Sequence, residues 1–197
     1  MHLRRLPAEE AALRRYVEEL WVPYHRDLEA TVERHALDDD ADLVAEEVEF
    51  RLDRLAADEY RAWVAVDAPA EGDVSGESDV IEEGDASASG ACSLAAIDAD
   101  LAGFVTTDVD TSPPVFDRPD RLVVGDIYVR EPYRGTGLAD DLIARAAERA
   151  REAGCGELAL DVDVDNERAI AFYEKLGFDP YRRRLLVGVD DLDRRSG

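Results

Sequence analysis

The spacing of apolar residues changes period several times along this chain, and each change marks an element. His2 to Leu6 predicts a short first strand. Pro7 stands where a helix would place its first residue, and Leu13, Val17, Leu20 and Tyr24 keep helical spacing until Pro23 intervenes. A second amphipathic helix is predicted from Asp42 to Ala57, with Val44, Val48, Leu52 and Leu55 on one face. Arg61 to Asp67, built around Trp63, Val64 and Val66, reads as a strand. From Ala68 to about Ala96 the pattern lapses into Gly, Ser, Ala and acids without Lys or Arg, a signature of disorder. The simpler reading is an acidic insertion in a strand–strand connection, since doubling a loop costs only about 0.6 kcal/mol. A regulatory or substrate-gating loop is the alternative.

Strand character returns at Leu101 to Val109, and the breaker Thr111-Ser-Pro-Pro separates it from the apolar, β-branched run Leu122 to Val129. Pro132 ends that strand because it cannot extend a ladder. Gly135 and Gly137 follow, and a helical pattern begins at once with Leu138, Leu142, Ala146 and Ala150, flanked by Ile143 and Ala147. Glu157 to Asp165 alternates with period two, Leu158, Leu160, Val162 and Val164 on one face, Asp161, Asp163 and Asp165 on the other. Asn166 then offers a helix cap; Ala169, Ile170, Tyr173 and Leu176 form the stripe of a short helix that Gly177 ends. Tyr181 to Val189, carrying Arg182, Arg183 and Arg184, reads as a closing strand. Alternating strands and helices predict an α/β (α+β) sheet in a single domain spanning 1–197.

Charge changes the picture. The chain of 197 residues holds 47 Asp and Glu against 23 Lys and Arg, a net charge of −24. Such self-repulsion destabilises a compact state unless salt screens it, and at about 1 M salt the Debye length shrinks to roughly 3 Å. The composition resembles that of proteins from salt-accumulating halophiles. It argues against nucleic-acid binding, because no basic patch would outweigh the field. No run of 18 apolar residues predicts a membrane span. The start MHLRRLPAEE lacks the apolar core of a signal peptide, which points to the cytoplasm. Cys92 and Cys155 make no disulfide framework, and His2, His25 and His35 make no metal cluster.

The strand–glycine–helix unit carries the chemistry. Glycines let a ligand approach the backbone, and the first helical turn offers unpaired N–H groups with the positive dipole end, so the unit reads as a phosphate site. A P-loop would need Gly-Lys-Ser/Thr, yet the only lysine is Lys175. The dinucleotide fingerprint fails too, because five residues separate Val129 from Gly135. What remains, Arg134-Gly135-Thr136-Gly137-Leu138-Ala139, resembles the Arg/Gln-x-x-Gly-x-Gly/Ala loop of the GNAT superfamily of acyl-CoA-dependent N-acetyltransferases. A second segment, with Asn166, Ala169, Tyr173, Gly177 and Phe178, is similar to the N-x-x-A-x-x-x-Y-x-x-x-G-F motif of the same superfamily. The two motifs lie one helix and one strand apart, as they do there. Gly125 departs from those members that carry a carboxylate on the fourth strand.

The resemblance implies a mixed, largely antiparallel, twisted sheet flanked by helices on both faces. It implies acetyl-CoA as acyl donor, no metal, and a small-molecule or peptide amine as acceptor, and it leaves room for a homodimer. Ile127, Tyr128 and Val129 would pair their backbone with the pantetheine arm, the Val129 N–H polarising the thioester carbonyl. Backbone N–H groups from Arg134 to Ala139 would hold the pyrophosphate, and Asn166 the pantetheine. An alkyl amine with pKa about 10.4 is unprotonated in only about one molecule in two thousand at pH 7, so a base is useful. Asp161 is the first candidate and Asp126 the second; Tyr173 is the natural acid for the leaving thiolate. For Asp126 the plainer reading is a buried, hydrogen-bonded acid, for Asp161 a solvated one, and for Tyr173 a packed aromatic. A catalytically inactive acyl-CoA-binding regulatory module is the alternative to an enzyme.

Overall fold

The computed structural model describes residues 1–68, 94 and 99–194. They fall into two compact units, Met1–Asp161 and Val162–Gly197. The first runs β1 (His2–Arg5), α1 (Glu10–Tyr16), a π-helical turn (Val17–Trp21), α2 (Val22–Glu29), α3 (Leu43–Ala56), β2 (Arg61–Asp67), β3 (Asp100–Asp110), β4 (Arg121–Val129), α4 (Leu138–Glu152) and β5 (Glu157–Leu160). The strands lie in the order β1-β2-β3-β4-β5. The first four are antiparallel neighbours; β5 runs parallel to β4, a step that needs a crossover, and α4 supplies it. The second unit holds α5 (Glu167–Lys175) and α6 (Val189–Arg194).

Alternation along β2 divides the core. Ala62, Val64 and Val66 join Leu13, Tyr16, Val17, Leu20, Val48 and Leu55 from the α1–α3 side, together with Leu101 and Phe104 of β3. Trp63 points the other way, where Arg145 of α4 stacks on its ring at 4.9 Å. The α4 stripe is as expected: Leu138, Leu142, Ile143, Ala146 and Ala150 are all buried. Helix α3 starts where Asp42 caps it, its carboxylate accepting from the Ala45 N–H at 3.1 Å.

Several expectations are corrected. Helix α1 begins at Glu10, so Pro7 belongs to the connection before it. Pro23 does not end the first helical stretch. The π-helical turn widens just before it, with the Val22 N–H reaching back to the Val17 carbonyl, and the ring is accommodated near the start of α2. The run Glu157 to Asp165 is a strand only as far as Leu160. Its ladder with β4 stops at Val124–Leu160, and Val164, expected on the apolar face, is 84% exposed. Tyr181 to Val189 forms no strand: three consecutive arginines break its alternation, and its own unit has no strand among the described residues with which it could pair. The acidic insertion expected from Ala68 to Ala96 lies, apart from Ala68 and Leu94, outside the described residues.

Candidate active site

The glycine loop takes the shape the sequence asks for. After β4, one 3₁₀ turn (Glu131–Tyr133) leads to Gly135 at φ +79° and Gly137 at φ +93°, both left-handed. Gly137 is the N-cap of α4. The Thr136 hydroxyl donates to the Tyr133 carbonyl at 2.7 Å and ties the loop to itself. Arg134's own N–H is taken by the Glu131 carbonyl, so the run of available donors starts one residue later than the motif suggests. Among the described residues, no protein acceptor takes the N–H groups of Gly135 to Asp140, and nothing lies within 4 Å of where a side chain would begin at Gly135 or Gly137. Converging donors at the positive end of a 15-residue helix make an anion site.

The Arg134 side chain has a different task. Its Nη2 pairs with Asp27 of α2 at 2.6 Å and its Nε donates to the Val129 carbonyl at 3.0 Å. The Tyr128 hydroxyl donates to the same Asp27 carboxylate at 3.1 Å. Arg134 thus fastens the loop to α2 and to the end of β4.

Along β4 the pairing with β3 slips once. Val124 faces Thr107 and Ile127 faces Val105, so Gly125 and Asp126 together oppose Thr106. This bulge reverses the side-chain parity and turns Asp126 toward α3. Gly125 is required there, because a Cβ would sit 2.8 Å from the Thr106 hydroxyl, which accepts the Asp126 N–H at 2.8 Å. The carboxylate of Asp126 receives Arg51 Nη2 at 3.2 Å. Arg51 also donates to Glu47 and to the Tyr60 hydroxyl. Burial raises the Glu47 carboxyl, an effect the Arg51 charge only partly offsets. Burial pulls Arg51 down, but Tyr16, Tyr60 and Glu47 together raise it, so the guanidinium is firmly charged. Burial lowers His25 on α2 while Asp126 opposes the shift.

Asp161 is the first residue past β5 and is exposed. In the second unit Asn166 caps α5, its side-chain oxygen accepting from Ala169 N at 3.1 Å. Tyr173, on the same helix, packs its ring against Phe172 and Phe178 at 5.4 and 5.7 Å. The structure therefore brings Asp126, Ile127, Tyr128, Val129 and the loop to Ala139 together at one end of β4, and Asn166 with Tyr173 on α5. Sequence reading missed Glu47, Arg51, Tyr60, Thr106 and Asp27. A signal for two of them was present: Glu47 and Arg51 occupy helical positions inside the apolar stripe of Val44, Val48, Leu52 and Leu55.

A bulged strand running into a glycine loop, on a mixed sheet covered by helices, defines the class of α/β fold that offers a backbone anion site beside a strand end. Residues 17–178 match the Acetyltransferase (GNAT) family, and the chain belongs to that family. N-alpha-acetyltransferase MAK3 of Arabidopsis thaliana is 44% identical over 67 residues, 34% of this chain and 35% of that protein. The chain covers between 35% and 51% of the length of the curated relatives it first matches. In fold it is similar to a tetramutant of the BH1408 protein from Bacillus halodurans, with TM-score 0.66, 14% identity, and coverage of 96% of this chain and 100% of that one. It is also similar to aminoglycoside N-acetyltransferase AAC(6')-Iy in complex with CoA, with TM-score 0.58, 16% identity, and coverage of 95% and 93%.

Proposed function

We propose that this chain is an N-acetyltransferase that moves the acetyl group of acetyl-CoA to a primary amine by direct attack in a ternary complex. The observation that carries the reading is the run of unclaimed N–H groups from Gly135 to Asp140 at the N-terminus of α4. They fit the pyrophosphate of the cofactor, and the open space over Gly135 and Gly137 leaves room for it. The family's named members support the acyl donor, and one solved relative is a complex with CoA.

Acetyl-CoA supplies an activated thioester; the residues supply position and proton handling. The β5 ladder ends at Val124, so the backbone of Ile127 to Val129 is offered to the pantetheine arm, and the Val129 N–H polarises the thioester carbonyl. Between the two candidate bases, Asp126 is the better placed. It is half-buried, oriented by Thr106 and Arg51, and on the strand that would carry the thioester, whereas Asp161 is exposed beyond a strand end. The family resemblance gives Tyr173 the acid role and Asn166 a contact to the pantetheine. The charge of −24 fits a cytoplasm of high salt.

Thermal shift with acetyl-CoA against adenosine, followed by thiol release across a broad amine panel, tests the reading. Stabilisation by acetyl-CoA alone and steady thiol release with some amines are expected. No stabilisation at saturating acetyl-CoA removes the cofactor, and binding without turnover leaves a regulatory acyl-CoA-binding module.

A further inference from the structure

Arg51 is a single buried cation held between two carboxylates. The side chains of Arg51 and Glu47 are only 7% and 10% exposed, while Asp126 is 25% exposed. Glu47, Arg51 and Asp126 together carry one negative charge in excess, and Asp126 presents it at the open end. An unbalanced charge in a partly buried setting is costly and calls for a counter-ion.

Two further observations point the same way. The Tyr16 hydroxyl is fully buried, has no hydrogen-bond partner among the described residues, and lies within electrostatic reach of Arg51, Tyr60, Asp126 and Glu47. Buried hydroxyls ordinarily find a partner, so an unused donor and acceptor borders the cluster. Two residues beyond Asp126, Tyr128 begins a run of rings: it meets Tyr24 at 5.6 Å, Tyr24 meets His25 at 4.6 Å, and His25 meets Trp21 at 4.2 Å. Aromatic faces attract cations. The neighbouring arginines are engaged, Arg134 with Asp27 and Arg130 with the Leu101 carbonyl, so an anionic group on the acceptor would have to displace one of them.

We infer that the acceptor is captured as a cation: an alkylammonium with no carboxylate or phosphate near the reacting nitrogen, selected by the excess negative charge of Glu47, Arg51 and Asp126. The inference rests on the acyl-transfer reading and names the acceptor for that site. The ammonium gives its proton to Asp126; the free amine then forms the N–C bond as the C–S bond breaks, and the thiolate leaves and takes up a proton. The amide product is neutral at that nitrogen. Its attraction to the cluster is thereby lost, which favours release.

The test uses the full chain in about 1 M salt, where the protein's overall field is screened and only local charge discriminates. Thiol release is measured with cadaverine, pentylamine and aminovalerate, and with glucosamine and its phosphate ester. Cadaverine and pentylamine should exceed aminovalerate in kcat/KM by at least roughly tenfold, mainly through KM, and glucosamine should exceed its phosphate ester. Glu47→Gln removes the excess charge and should bring these ratios close to unity, whereas Glu148→Gln on α4 makes the same change of charge and should leave them alone. If Glu47→Gln does not fold, calorimetric binding of cadaverine to CoA-loaded Asp126→Asn replaces it, and at least about tenfold weaker binding is expected. Equal use of aminovalerate or of the phosphate ester by the wild type overturns the inference. So does discrimination that survives Glu47→Gln in a folded protein, or undiminished cadaverine binding by Asp126→Asn. Thiol release with no amine at all fails the acyl-transfer reading itself, while release with reversed preference sinks only the acceptor class.

Discussion

Gly103 is the position where the smallest change should cost the most. It lies on β3 opposite Val129, at the end of the strand proposed to receive the thioester. A Cβ there would stand 2.5 Å from the Tyr128 carbonyl oxygen, 3.3 Å from Val129 Cα and 3.4 Å from a Leu138 methyl. The first two are backbone, so Gly103→Ala can be accommodated only by moving the Tyr128–Val129 peptide outward by about 0.9 Å to reach ordinary contact. Overpacking of this kind costs about 1–3 kcal/mol, which for a domain of this size lowers Tm by about 2–12 °C. A shift near 1 Å in a group that polarises the reacting carbonyl costs roughly 10²-fold in rate. We therefore expect kcat to fall about a hundredfold in a thiol-release assay at saturating amine. Acetyl-CoA affinity should change far less, because the Gly135–Asp140 donors are not displaced. Gly125→Ala is the control: its Cβ meets the Thr106 hydroxyl, a group that can rotate away at the cost of one hydrogen bond. A Gly103→Ala enzyme that folds and turns over at the parental rate would refute the assignment of Tyr128–Val129 to the reaction centre.

Other expectations follow from the same geometry. Gly137→Val should lose acetyl-CoA binding by calorimetry while losing only about 1–2 kcal/mol of stability, since its φ is left-handed but the space is open; tight binding would make the loop structural only. Tyr173→Phe should lower kcat by more than roughly tenfold with acetyl-CoA affinity little changed, and unaltered turnover would leave Tyr173 to its packing with Phe172 and Phe178. Burial lowers His25 in the folded state, so the unfolded chain takes up its proton first and the stabilisation, present above the ordinary value of 6.5, is lost as pH falls below it. Chemical denaturation from pH 7.5 to 5 should therefore show the wild type losing ground to His25→Gln, and parallel curves would contradict this. Folding and acetyl-CoA affinity should both rise as salt increases from roughly 0.01 to 1 M; a chain most stable and tightest-binding at the lowest salt would remove the screening argument.

Local pattern made much of this fold legible. Strand β2 runs over the residues its alternation marked, α3 begins after the acid that caps it, and the two loop glycines adopt the left-handed angles that glycine tolerates. What was not legible depends on neighbours distant in sequence. A strand exists only where another pairs with it, so Glu157–Asp165 stopped where β4 ceased to pair, and Tyr181–Val189 made no ladder. The bulge at Gly125–Asp126 comes from register against Thr106, which no inspection of β4 alone could supply. For the same reason Asp126 read as an isolated acid in an apolar strand, when its partner is an arginine 75 residues earlier.

The widened turn at Val17–Trp21 holds one residue of slack in the helical stretch ahead of α2. Deleting Glu18 or Glu19 would tighten it to an ordinary α-turn and rotate everything that follows by about 100° relative to α1. Tyr24, His25 and Asp27 would swing away from Tyr128 and Arg134, while the sheet, the glycine loop and α4 would keep their sequence and pairing. A single-codon deletion is thus enough to redraw the aromatic side of the acceptor region without editing a residue of the donor half. Lineages that vary in length at this turn should diverge in the amines they modify sooner than in the acyl carrier they use.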